Sequence, residues 1–130
     1  MDFFIARKVR TVGFDLLTEK VKQELKKEGF GVITEIDIKK TLKEKINVDF
    51  RNYLILGACN PQFAHRALLA DDKIGVLLPC NVVIQESAAG GLEVMAFDPA
   101  SAMMDSGNGD LVRLASDVRD KLMKVMDSLD

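Results

Sequence analysis

The chain has one histidine, two cysteines, three prolines and no tryptophan. So few soft and imidazole ligands exclude most structural metal sites. Tetrahedral zinc takes four ligands from Cys, His and carboxylate groups, usually with a closely spaced cysteine pair. Cys59 and Cys80 form no Cys-x-x-Cys pair, and no third or fourth ligand is evident. No metal and no cofactor is therefore expected. The sequence also lacks a Gly-x-Ser-x-Gly elbow and a Gly-Lys-Ser/Thr phosphate loop. No apolar run approaches the roughly 18 residues that mark a bilayer-spanning helix, so no membrane partner is expected. A basic block is missing too: 18 Lys and Arg stand against 20 Asp and Glu, for a net charge of −2. That balance argues against a polyanion binder and hence against a nucleic-acid partner.

The opening residues, Met1 to Lys8, do not follow the basic, apolar, small-residue order of a secretory signal. Two cysteines without such a signal point to free thiols in a reducing compartment, so the expected localisation is cytoplasmic. With 130 residues the chain fits one domain, 1–130, large enough to bury a core without disulfides or metal.

What is present is periodicity. Phe3 to Val12 reads as a strand. Gly13 then caps a helix on which Phe14, Leu17, Val21 and Leu25 form an apolar stripe, closed by Gly29 in a left-handed conformation. Phe30 to Ile36 is a second strand, with Phe30, Val32, Thr34 and Ile36 on one face. Asp37 caps a short helix carrying Ile38, Leu42 and Ile46, whose other face, Lys39, Lys40, Lys43 and Lys45, reads as solvated. Tyr53 to Cys59 is apolar without alternation, as in a strand covered on both faces.

Asn60 and Pro61 open the third helix, proline at the first helical position losing no hydrogen bond. Ile74 to Glu86 reads as extended, interrupted at Pro79, and forms a hairpin with Leu92–Phe97 across Ala88 to Gly91. Asp98-Pro99 opens a short helix. Asp110 is the expected cap of the last one, with Leu111, Ala115, Val118, Leu122, Val125 and Leu129 in a single stripe. The order is β-α-β-α-β-α-β-β-α-α, an α+β fold with a mixed sheet in which helical crossovers bring some parallel pairing.

Three stretches, EGFGVITEIDIKKTLKEK, YLILGACNPQFAHRAL and IGVLLPCNVVIQE, resemble the domain-of-unknown-function-302 family of bacterial and archaeal proteins. The markers are Gly29-Phe30-Gly31, Thr34-Glu35, Gly57 to Pro61 and Leu78 to Asn81, and the likeness covers roughly Phe14 to Met104. It implies a compact α+β fold, often as a small stand-alone protein. It carries over no established reaction.

Chemistry concentrates between Gly57 and Asn81. Cys59 ends a buried strand just before a helix, where the helix dipole and free N–H groups lower a thiol pKa; burial in hydrocarbon raises it. Cys80 is a candidate resolving thiol or second soft ligand, or a small core residue. Asn60 and Asn81, each after a cysteine, are expected at one end of the sheet, where the helix opening at Pro61 offers N–H groups to an anion. His65 falls away from the inward face of Phe63, Ala64, Ala67 and Leu68, which argues against a Cys-His dyad.

Three readings stand. The first is a small-molecule ligand held by Cys59, Asn60, Cys80 and Asn81. The second is a thiol-dependent enzyme or redox protein using Cys59. The third is a self-associating structural or regulatory domain without small-molecule chemistry, a homodimer through the stripe of the last helix, the alternative being that this stripe packs on the protein's own sheet. Whether the protein is an enzyme stays open. Binding comes first because a pocket asks less of its residues than catalysis does.

Overall fold

The computed structural model describes residues 2–10 and 12–129; Thr11, within the expected first strand, lies outside them. Strand β1 is Phe4–Val9. Gly13 is the extended N-cap of helix α1, Phe14–Lys27. The i, i+4, i+8 repeat of Leu17, Val21 and Leu25 puts all three on one face, and none has any exposed surface. Burying such a side chain contributes about 1.5–3 kcal/mol, so this stripe anchors α1. Gly29, at φ 87°, turns the chain out of the helix in a conformation that β-carbon-bearing residues avoid.

Strand β2, Gly31–Asp37, is an edge strand whose register slips between Val32 and Thr34. The extra residue, Ile33, is exposed. A bulge re-aims the side chains beyond it, so the expected shared face of Phe30, Val32, Thr34 and Ile36 is split. Phe30 and Val32 join the core, whereas Thr34 and Ile36 lie opposite Gly57 and Ile55 on the other side. Helix α2, Ile38–Ile46, is capped by Asp37, and strand β3 is Tyr53–Cys59.

Helix α3, Pro61–Ala70, follows the Asn60 cap. The next segment corrects the expected extended run from Ile74. Asp72–Leu77 is a 3-10 turn capped by the Asp71 side chain, and only Cys80–Glu86 is strand, β4. Strand β5 is Leu92–Phe97, and α4 is Pro99–Met103, capped by Asp98. The last helix, α5, is Gly109–Asp127, and its cap is Asn108 rather than the expected Asp110. The Asn108 side chain accepts from the N–H groups of Asp110 and Leu111 and donates to the Ala70 carbonyl at 3.2 Å. One amide therefore caps α5 and ties it to the end of α3.

The class is α+β. Among the described residues the five strands form one sheet in the order β1-β5-β4-β3-β2. Every pairing is antiparallel, which corrects the expected parallel pairs. A helix between two strands forces parallel pairing only when it carries the chain back along the strand's length. Here β2, β3 and β4 are sequential neighbours, so α2 and α3 sit in connections that reverse direction.

Helices α1 and α5 cover one face of the sheet, formed by Leu54, Leu56, Val82, Ile84, Val94 and Ala96. The stripe of α5 is spent here and nearby: Leu111, Ala115, Val118, Leu122, Val125 and Leu129 are all buried. It offers no free helix seam to a second chain. A second, smaller hydrophobic cluster joins Ile74, Met103, Leu111 and Ala115, flanked by Ala67, Ala70 and Leu78. The carboxylate of Asp98, only 5% exposed, locks α4 to α5 by accepting from Arg119 Nε at 3.1 Å.

Candidate functional site

Helix α5 is longer than the sheet needs. Its second half packs on the strands, while Leu111 and Ala115 in its first half pack on α3, the 3-10 turn and α4. Two separately closed clusters on one helix leave a seam, and a cavity occupies it. Its walls include Phe30, Ala58 and Val118 from the main core and Ile74, Met103 and Ala115 from the smaller one. The space open to the centre of a water-sized sphere is about 60 Å³. Room for one water requires roughly 10–15 Å³ on that measure, so the cavity is several waters in size. Its wall is nearly all hydrocarbon, and an apolar cavity of this kind gives water few partners.

Both sulfur-bearing residues, Cys59 and Cys80, line this cavity, together with Asn60. Cys80 faces inward with its ladder partner Ala58, and Cys59, the last residue of β3, adjoins the same cavity where the chain leaves the strand for α3. Both thiols are free; Cys59 is half-buried and Cys80 buried. Burial pushes the Cys80 thiol up to about 11, and the neighbouring Cys59 adds to the rise. Cys80 is therefore a neutral thiol at physiological pH, a poor nucleophile and a poor candidate for a resolving thiolate.

Asn60 is engaged by the fold. Its Oδ1 accepts from the Phe63 N–H at 3.5 Å and its Nδ2 donates to the Glu28 carbonyl at 3.4 Å. It caps α3 and clasps the end of α1, so its own side chain occupies the helix start that was expected to receive an anion. Asn81 is not in the cavity. It pairs with Gly57 and lines a groove on the opposite side with Phe3, Tyr53 and Phe97. The four expected ligand residues thus divide three to one. Strand alternation is the signal that separates them: with Cys80 inward, Asn81 must face outward.

His65 is exposed, as its helical phase requires, while Phe63, Ala64, Ala67 and Ala70 are half-buried. Leu68, expected inward with them, is 40% exposed. Ile74, Met103, Leu111 and Ala115 were not among the sequence candidates. Leu111 and Ala115 are marked in the sequence only as the start of the α5 stripe, and Ile74 and Met103 carry no mark of the site at all.

The family stretches meet at this end of the sheet. Gly29 lies 3.0 Å, measured from the position of an added Cβ, from Asn60 Nδ2; Gly57 faces Thr34 and Pro79. The family model described as Domain of unknown function DUF302 matches residues 5–129. The fold is similar to a crystal structure of an uncharacterized conserved protein DUF302 from Bacillus stearothermophilus, with 29% sequence identity and a TM-score of 0.89, covering 98% of both chains. No curated protein matches.

Proposed function

We propose that this chain, which belongs to the DUF302 family, binds a small apolar molecule in the cavity where Cys59 and Cys80 meet α5. One observation carries the reading: Cys59 and Cys80, both free, and a hydrocarbon wall line a space left between two hydrophobic clusters. A charged ligand would lose hydration there without finding a counter-charge, and Asn60 already fills the anion position at the start of α3. The ligand class is therefore apolar and soft, with sulfur as its most polarizable contact. Free thiols also support a cytoplasmic setting.

Thiol chemistry at Cys59 is the second reading, supported by its lesser burial beside Cys80. Thermal shift with xenon and toluene, together with native mass spectrometry, separates the two. Saturable stabilisation of the native chain by the apolar probes, lost in Ala115→Leu, is the result expected for binding. No stabilisation by either probe, or an equal shift in Ala115→Leu, would overturn it. A retained covalent adduct on Cys59 would favour the thiol reading, and a Cys59 inert to alkylation below pH 8 would end it.

A further inference from the structure

The face of the sheet that α1 and α5 leave uncovered carries an unexpected pattern. An antiparallel sheet with one solvated face normally shows polar residues there. Following the ladder partners across the strands, the middle row reads Ala6, Met95, Val83, Ile55 and Ile36. Apolar side chains thus run unbroken from one edge strand to the other, half-buried or exposed at every position. Phe3, Val76 and Leu77 add exposed apolar surface at the rim, beside a groove of about 490 Å³.

The next row is polar and ordered. Arg51 donates from Nε and a terminal nitrogen to Gln85 Oε1 at 3.1 and 2.9 Å, and Gln85 Nε2 donates to Glu93 Oε1 at 3.0 Å. In the ladder this row reads Lys8, Glu93, Gln85 and Tyr53, with the Arg51 guanidinium 5.9 Å from the centre of the Tyr53 ring.

We infer that this face stacks on the same face of a second copy of the chain, forming a two-fold dimer with β4 at its centre. Closed homodimers repeat one patch on both partners. An axis running along β4 exchanges β5 with β3 and β1 with β2. Val83 then meets its own copy, Met95 meets Ile55, and the small Ala6 meets the larger Ile36. The same operation sets Glu93 of one copy over Tyr53 of the other, beside the Arg51 guanidinium, twice, so an anion approaches a cation where the apolar rows match. Aligned sheets pack this way at about 10 Å with interleaved side chains.

The area suits a dimer. Five strands about 4.8 Å apart and some 20 Å long give roughly 500 Å² of flat surface. Side-chain relief and the rim residues carry it toward the roughly 800 Å² that each partner supplies in a standard interface. The interface is independent of the Cys59/Cys80 cavity, which lies on the other side of the sheet.

Light scattering behind size exclusion, on the full chain at 1–100 µM, tests this. The expected wild-type species is a dimer. Val83→Lys, a half-buried position, should raise the dissociation constant at least a hundredfold with an unchanged far-ultraviolet spectrum. Glu93→Arg should raise it about tenfold, and adding Arg51→Glu should restore it. The restoration keeps the test decisive if Val83→Lys fails to fold. A wild-type monomer at 100 µM, a dimer indifferent to both Val83→Lys and Glu93→Arg, or no recovery in the charge exchange would overturn the inference.

Discussion

The hydroxyl oxygen of Thr34 stands 2.0 Å from the point where a β-carbon on Gly57 would sit, and Pro79 Cγ stands 2.9 Å from it. Gly57 is therefore glycine because β2 and the residue just before β4 close over it. Gly57→Ala must displace β2 or the residues entering β4. Overpacking of this kind costs about 1–3 kcal/mol and occasionally more. We expect Gly57→Ala to lower unfolding free energy in urea by about 3 kcal/mol, and Thr34→Ala in the same chain to return about 1 kcal/mol. The proline contact remains, so recovery stays partial. Equal stability of Gly57→Ala and wild type would refute the contact.

Asn60 offers a second test, because its two bonds separate chemically. Asn60→Ala removes both the cap on α3 and the clasp to Glu28 and should cost about 1–2 kcal/mol. Asn60→Asp keeps an acceptor for the Phe63 N–H but turns an oxygen toward the Glu28 carbonyl. If the cap alone mattered, Asp would equal Asn, since both cap well. We expect Asp to fall between Asn and Ala in denaturant midpoint, and an Asp variant as stable as wild type would remove the clasp from the account.

Much of this was legible from periodicity. The stripe of Leu17, Val21 and Leu25, the apolar run of β3, the turn at Gly90 and Gly91 and the α5 stripe each follow from side-chain spacing. Strand direction does not: a helix between two strands is written alike whether the chain continues or returns, and only the pairing of β3 with both β2 and β4 decides it. Ile74 to Leu77 is apolar enough to read as strand, yet the Asp71 carboxylate starts a 3-10 turn there. The cavity was half legible. Cys59 and Cys80 lie within one stretch, but Met103, Leu111 and Ala115 reach them through packing that leaves no short-range pattern. The row from Ala6 to Ile36 was hidden for a related reason, since each strand gives it one residue and the Val32/Thr34 bulge reverses the facing of β2.

The Cys80 thiol gives a pH signature. Its value rises from an ordinary 9.0 to about 11 in the folded chain, so the folded state holds a proton that the unfolded state releases first. Stability is then level below about pH 9, falls as pH climbs toward 11, and levels again above it. The sign follows from linkage: stability drops with pH wherever the folded state binds more protons. Two pH units correspond to roughly 2–3 kcal/mol at most. Cys80→Ala should lack this particular decline while losing some packing energy at every pH. Urea unfolding of both proteins from pH 7 to 11 reads the difference, and parallel slopes across that window would show that the sulfur is not desolvated. Alkylation gives the same answer kinetically. A thiol that ionises near 11 should react in the native chain far more slowly than in urea at pH 8, because the thiolate is the attacking species.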